Sequence, residues 1–243
     1  MRIALRQTTD LGLRAGRVLL GEKSLSALGI LDSQLGTGAD RRVRHIDSLT
    51  GFDVFVTDAD GDVVDDLRLA HDAGIPCVVP GEIEDPPPDS IVGANARSGL
   101  AHALAEQEIR RVGVPLEVSI GWTTEGQELR RGTAIAFPDP IGSLWARRAP
   151  SLVHPTFVAP VPGEWAGLSV RVTSASRAGV STKLVGVADL AIHLDAIALA
   201  AAAATAADPG YPADVHQPWW SDAYLAKAIE MGLTVATHTA QDT

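Results

Sequence analysis

The sequence predicts an α/β chain. A doubly wound parallel sheet over residues 1–93 precedes a smaller α+β domain over 94–207, built on an open, mainly antiparallel sheet. A loop and helix over 208–243 are expected to return to the first domain. Three observations carry this. The opening MRIALRQ-TTDLG-LRAGRVLL reads as strand, tight turn and helix. Short apolar runs then alternate with helical periods as far as residue 93, the pattern of successive β-α-β units. After Gly113 the period becomes two: Leu116, Val118, Ile120 and Trp122 alternate with Glu117, Ser119 and Gly121, as in a sheet with one apolar face and one wetter face.

The individual elements follow from the same rules. After the first helix, SLSALGILD (24–32) makes a second apolar strand that ends in Asp32. The next stretch holds too much glycine and charge for a full helix, so a loop with a short exposed strand, RVRHI, is expected. Residues 52–56 form a third buried strand, with Thr57, Asp58 and Asp60 at its carboxyl end. Val63, Val64, Leu67 and Ala70 have helical spacing, and Gly74 stops that helix. IPCVVPG is a further strand, whereas the three prolines of EDPPPDS force an extended segment outside the sheet. SIVGANARSGLAHALAEQEIRR reads as strand, polar turn and a strong helix from about Ser98. GTAIAFPDP, the alternating Leu168, Val170 and Val172, and STKLVGVAD supply strands of the second domain. An alanine-rich helix follows from about Leu190 to Ala207, its small side chains suited to close packing against the sheet or a partner copy. A short helix and a returning strand close the chain.

Composition narrows the function classes. Thirty acidic against 20 basic residues give a net charge of −10, which argues against nucleic acid or an anionic membrane as partner. The single cysteine, Cys77, lies in an apolar run and excludes an internal disulfide framework. Met1 leads straight into a strand, so no signal peptide is expected, and the apolar run 196–207 is too short to span a bilayer. A cytoplasmic protein with a small-molecule substrate is the expectation. No histidine has metal-ligand spacing, and CxxC, HExxH, Walker A and GxSxG patterns do not occur. No metal is expected.

In an open parallel sheet, ligands gather beyond the carboxyl ends of the strands. By that rule Thr8, Thr9, Asp10, Leu11, Gly12, Asp32, Thr57 and Asp58 face one crevice and are the candidate cofactor-binding residues. Asp32 lies twenty residues beyond Gly12, the distance at which a dinucleotide fold places a carboxylate on the adenosine ribose; equally, it caps the next turn. Thr57 and Asp58 have helix capping as their plainer role. Arg97, Asn95 and Asp139 are the candidate catalytic residues. Asp139 stands with His71 and Asp58 as a possible general acid, while Arg97 and Asn95 would orient a substrate carboxylate. A salt bridge on the following helix is the plainer role of Arg97.

The order of elements resembles the saccharopine dehydrogenase-like group of NAD(P) oxidoreductases and the related dihydrodipicolinate reductases. Four places carry the resemblance: the opening strand-turn-helix, GANARSGLAHALA, FPDPIG at 137–142, and the run from LSVRVTSASRAGVSTKLVGVAD through the alanine helix to IEMGLTV. The resemblance implies a Rossmann-like nucleotide domain, an α+β domain bearing substrate contacts and a homodimer surface, and an amino acid or imine as substrate. NAD or NADP would be the cofactor. Asp32 favours NAD, and Arg41 and Arg42 are placed to receive a 2′-phosphate.

The chain departs from that pattern in being short and in its glycine fingerprint. Aligned on Gln7 to Gly12, GxGxxG keeps only its last glycine, and Thr9 stands where the backbone would touch the pyrophosphate. Asp10 is expected to cap the helix amides that would otherwise hold phosphate, with Arg6 and Arg14 flanking as solvated residues or as inward counterions. Two functions follow: an NAD(P)-dependent oxidoreductase, or a cofactor-free protein of the same fold acting as a dimeric binding or scaffold protein.

Overall fold

A computed structural model describes residues 1–31, 40–58, 63–151, 154–176, 179–210 and 222–242, and of Ser176, Gln241 and Asp242 the backbone alone. The chain divides into two units: Met1–Gly99 with Asp195–Gly232, and Leu100–Leu194 with Leu233–Thr243.

The first unit is built on six parallel strands: β1 (Arg2–Arg6), β2 (Ala27–Leu31), β3 (Val43–His45), β4 (Val54–Thr57), β5 (Cys77–Val78) and β6 (Ser90–Ile91). Their spatial order, β3-β2-β1-β4-β5-β6, is the doubly wound Rossmann order. The chain winds outward from β1 on one side and resumes at β4 on the other, so the ends of β1 and β4 lie side by side where the winding reverses. Burial on both faces explains why the central strands β1, β2 and β4 are apolar along their middles, whereas the edge strand β3 is exposed at Arg44 and His45. Ile3, Ala4, Leu5, Val54, Phe55 and Val56 have no solvent exposure, each large side chain contributing roughly 1.5–3 kcal/mol.

Helix α1 (Asp10–Leu20) buries Gly12, Ala15, Gly16 and Leu19, a single i, i+3, i+4, i+7 stripe. Helix α2 (Val64–Ala73) ends as its glycine requires: Gly74 takes a left-handed φ of 67°, and its N–H returns to the carbonyls of Ala70 and His71. Arg42, flanking β3, is held by Asp40 and donates to the Leu20 carbonyl at 2.6 Å, closing the carboxyl end of α1. From residue 195 onward, α4 (Ala191–Ala206) contributes a run of alanines with no exposure, consistent with a helix apolar on all sides. Helix α5 (Asp222–Glu230) buries Tyr224, Leu225 and Ala228, and its Lys227 pairs with Glu22 at 3.3 Å. No helix among the described residues is long and apolar enough to cross a membrane.

The second unit carries a mixed, mainly antiparallel seven-stranded sheet. Its strands are β7 (Glu117–Glu125), β8 (Thr133–Ala136), β9 (Ser143–Ala149), β10 (Thr156–Val161), β11 (Trp165–Ser176), β12 (Gly179–Leu190) and β13 (Ala236–Asp242). They lie in the order β13-β12-β11-β7-β10-β9-β8, with β7 and β10 parallel. Most of the period-two residues behave as expected: Val118, Ile120, Leu168, Val170, Val172, Val185 and Val187 are buried, and α3 (Ala101–Val112) packs on β7 and β11, whereas Leu116 precedes β7 and is exposed and Trp122 is half-buried. Glu108 of α3 is buried but paired, accepting from Lys183 at 2.6 Å and from Arg111. The alternate residues Gly121, Gly167 and Gly186 point the other way. A Cβ on Gly167 would stand 2.7 Å from Ile141, and one on Gly186 2.9 Å from Pro138, so the glycines admit the turn at 137–142 onto this face. Asp139 begins the cis Asp139–Pro140 bond of that turn and is exposed.

Candidate functional site: the turn after the first strand

The amides at the start of α1 are the feature on which any dinucleotide reading depends. Thr9 is the helix N-cap, in extended conformation (φ −128°, ψ 171°), its hydroxyl accepting from the Gly12 N–H at 3.4 Å. Asp10, expected from the sequence as the capping acid, is instead an exposed first-turn residue. Its β-region neighbour takes the cap because the N-cap lies outside the helix, whereas Asp10 already has helical geometry.

A different carboxylate reaches these amides. Asp58 follows β4 directly and is 1% exposed. It accepts from the Thr8 N–H at 2.9 Å, the Thr9 N–H at 2.6 Å, the Thr8 hydroxyl at 2.7 Å and the Thr9 hydroxyl at 2.8 Å. Four donors therefore converge on one carboxylate beside the positive end of α1, a stabilising setting for a negative charge. Gly12 makes the approach possible: a Cβ there would fall 2.2 Å from Asp58 Oδ2. The surviving glycine of the fingerprint thus accommodates a side chain of the protein itself.

The layer beneath is also charged. Arg6, the last residue of β1, pairs with Asp66 of α2, whose other oxygen accepts from the Thr57 hydroxyl at 2.5 Å. The guanidinium lies 6.0 Å from the centre of the Phe55 ring. Arg6 is thus a partner within the first unit, not a solvated flank of the turn.

The remaining sequence candidates fall elsewhere. Leu11 is half-buried in the first turn of α1. Asp32 lies outside the described residues. Asn95 uses both ends of its amide locally, donating to the Pro80 carbonyl at 2.7 Å and accepting from the Ser98 N–H at 2.7 Å. It thereby opens a π-helical turn, Ala96–Leu100. The Ala96 N–H donates to Asp195 at 2.8 Å, and the Arg97 charge acts on the same carboxylate. Asp139 belongs to the second unit. The signal for Asp58 was present in the sequence, an acid directly after a buried strand and a Thr-Thr pair at the turn, but only the parallel pairing of β1 with β4 brings them together.

Burial raises the pKa of the Asp195 carboxyl above the usual carboxylate range, against the lowering effects of the Ala96 N–H and Arg97. The folded protein therefore holds this proton at pH values where the unfolded chain has lost it. The contribution of this group to stability falls as pH rises from the unfolded pKa through the folded one. Asp195→Asn, whose side-chain oxygen can still accept from Ala96, is expected to raise the melting temperature at pH 7. It should also flatten the dependence between pH 7 and pH 4. Thermal denaturation across that range is the check, and a lower melting temperature at pH 7 would contradict it.

A pyrophosphate does not fit the turn as built. The amides that would bind it are taken, and it would meet the Asp58 carboxylate: like charges 4 Å apart cost about 1 kcal/mol in water and about 4 kcal/mol at an intermediate dielectric.

No protein-family model matches this chain, and no curated protein matches it in sequence. Several solved structures are similar to it in fold. One is a dipicolinate-bound dihydrodipicolinate reductase from Paenisporosarcina sp. TG-14, 16% identical over 75% of this chain and 86% of that one, with a TM-score of 0.46. A mutant meso-diaminopimelate dehydrogenase (meso-dapdh) from Clostridium tetani E88 is 10% identical over 85% and 89%, with a TM-score of 0.48. A putative myo-inositol dehydrogenase from Sinorhizobium meliloti 1021 is 14% identical over 94% and 95%, also with a TM-score of 0.48.

Proposed function

We propose that this protein is a Rossmann-fold binding or scaffold protein that works without a dinucleotide held at the β1–α1 turn. The observation that carries the reading is the Asp58 carboxylate on the Thr8 and Thr9 amides. A dinucleotide anchored there would have to displace a buried, fourfold hydrogen-bonded group and then share the space with it. The ligand would be a small molecule, and the assembly a homodimer. The long outer strand β13, exposed over residues 236–240, supports the dimer, because an outer strand that is neither short nor covered invites pairing with another chain.

A second reading has its own support. The strand order places this same turn at the switch point where doubly wound proteins bind ligands, and Thr8 and Thr9 are exposed. On that reading the protein is an NAD(P)-dependent oxidoreductase of the saccharopine or amino-acid dehydrogenase type, acting on an amino acid or imine, and Asp58 yields to the cofactor. Arg97 and Asn95 would then hold the substrate carboxylate.

Titration of the purified protein with NADH and NADPH, followed by tryptophan fluorescence and thermal shift, separates the two. The first reading expects no saturable response up to millimolar cofactor. Saturable binding of either cofactor below that range would replace it with the second.

A further inference from the structure

We propose that the cavity at the connection from β9 to β10 binds a small organic carboxylate, with its charge held by Arg148 and His154 and its apolar body against Pro150 and Pro155. The proposal depends on neither reading of the β1–α1 turn, because every residue in it belongs to the second unit.

The cavity encloses about 420 Å³, room for a small molecule, and residues 148–151 and 154–156 line it. Antiparallel pairing of Ala149 with Thr156 and of Arg148 with Phe157 brings its two sides together. The Thr156 hydroxyl donates to the His154 carbonyl at 3.0 Å, which pins the backbone carrying the imidazole. The polar part of the lining is one-sided. Arg148 brings a positive charge, Ser151 a hydroxyl and His154 a ring nitrogen, and no acidic residue occurs among the described lining residues. Arg148 makes no ion pair with another described residue. In a chain of net charge −10, that local balance selects an anion.

His154 adds a donor. Its Nε2 is buried and has no hydrogen-bond partner among the described residues. An N–H shut in without an acceptor is the costlier way to leave that atom, so the proton belongs on Nδ1, the nitrogen left to a ligand. Burial lowers the His154 pKa below its usual value, Glu106 of α3 opposes this and His102 of the same helix adds to it, so the ring is neutral at pH 7.5. A guanidinium fork, a neutral Nδ1–H and a hydroxyl suit the two oxygens of one carboxylate. The remaining wall, Ala149, Pro150 and Pro155, is apolar, which favours an organic acid over a bare inorganic anion.

The test is calorimetric titration of the full chain at pH 7.5 with sodium benzoate, with benzamide and inorganic phosphate as comparisons. Benzoate should saturate one site per chain with a Kd of about 0.1–1 mM. Benzamide has the ring without the charge, and phosphate the charge without an apolar body, so each should bind about tenfold more weakly or less. Arg148→Gln should weaken benzoate by about tenfold or more, from the loss of charge-assisted hydrogen bonds. His154→Asn puts an amide nitrogen near the position of Nδ1 and should stay within about threefold of the wild type, whereas His154→Gln, whose amide reaches the position of Nε2, should lose about tenfold. No saturation by about 20 mM benzoate, equal binding of benzamide or phosphate, or an affinity unchanged in Arg148→Gln or His154→Gln would each overturn the proposal. The comparison of the three ligands uses the wild type alone, so it decides even where a variant fails to fold.

Discussion

Gly12→Ala is expected to destabilise the protein by about 2–4 kcal/mol, although the same change in an ordinary helix interior would stabilise it by roughly 1 kcal/mol. The reversal of sign follows from one contact. The added methyl would lie 2.2 Å from Asp58 Oδ2 and 2.7 Å from its carboxyl carbon, closer than such atoms can come. The carboxylate must retreat, and retreat breaks bonds to Thr8 and Thr9 in a place that is 1% exposed. Each hydrogen bond to a charged group contributes about 1.5–3 kcal/mol, so losing one or two exceeds the gain in helix propensity. Gly16, one turn along on the same buried stripe, provides the control. Its added methyl would meet only the tip of the Leu5 side chain at 3.2 Å and Leu28 at 3.9 Å. Urea denaturation should find Gly16→Ala within about 1 kcal/mol of the wild type. Equal losses at the two glycines would mean that general helix–sheet crowding, not the Asp58 carboxylate, governs position 12.

Local chemistry was legible where it depended on neighbours in sequence. The apolar strands at 2–6, 27–31 and 54–57, the stop at Gly74, the proline-rich break and the alternating residues of β7 and β11 all follow from periodicity and glycine placement. The parallel sheet was legible as well, because no alternating pattern could survive burial on both faces. The occupant of the turn was not. Capping rules select among residues next to the helix, and so pointed to Asp10, whereas the donors at 8 and 9 are met by an acid at 58. Charge pairing was hidden for the same reason: Arg6 reads as a surface residue until β1 and α2 are placed together, 60 residues apart. Parallel pairing of β10 with β7 likewise follows from the path of the chain and not from the residues of either strand taken alone. Long-range polar partners leave no periodic trace.

The Arg6–Asp66 pair carries the second large expectation. Asp66→Ala should cost about 3–5 kcal/mol, the range found when one partner of a buried ion pair is removed. The side chains are only 24% and 4% exposed, so the guanidinium left behind cannot readily exchange its carboxylate for water. Asp66 also accepts from Thr57, and that hydroxyl loses its acceptor in the same substitution. Removing both charges should be milder. Arg6→Met combined with Asp66→Leu replaces the pair by apolar groups of similar size over the Phe55 ring, and is expected to cost less than Asp66→Ala alone. A double-mutant cycle by urea denaturation measures the coupling, and losses that simply add would show that the two side chains do not stabilise each other. The consequence reaches the turn, because Arg6 and Thr57 are the residues that precede Gln7 and Asp58. The ion pair fixes the ends of β1 and β4 relative to α2, and the fixed ends set the distance across which Asp58 meets Thr8 and Thr9. In Asp66→Ala, the amides of Thr8 and Thr9 should therefore lose hydrogen-exchange protection well before those of Leu5 and Val56 in the strand interiors.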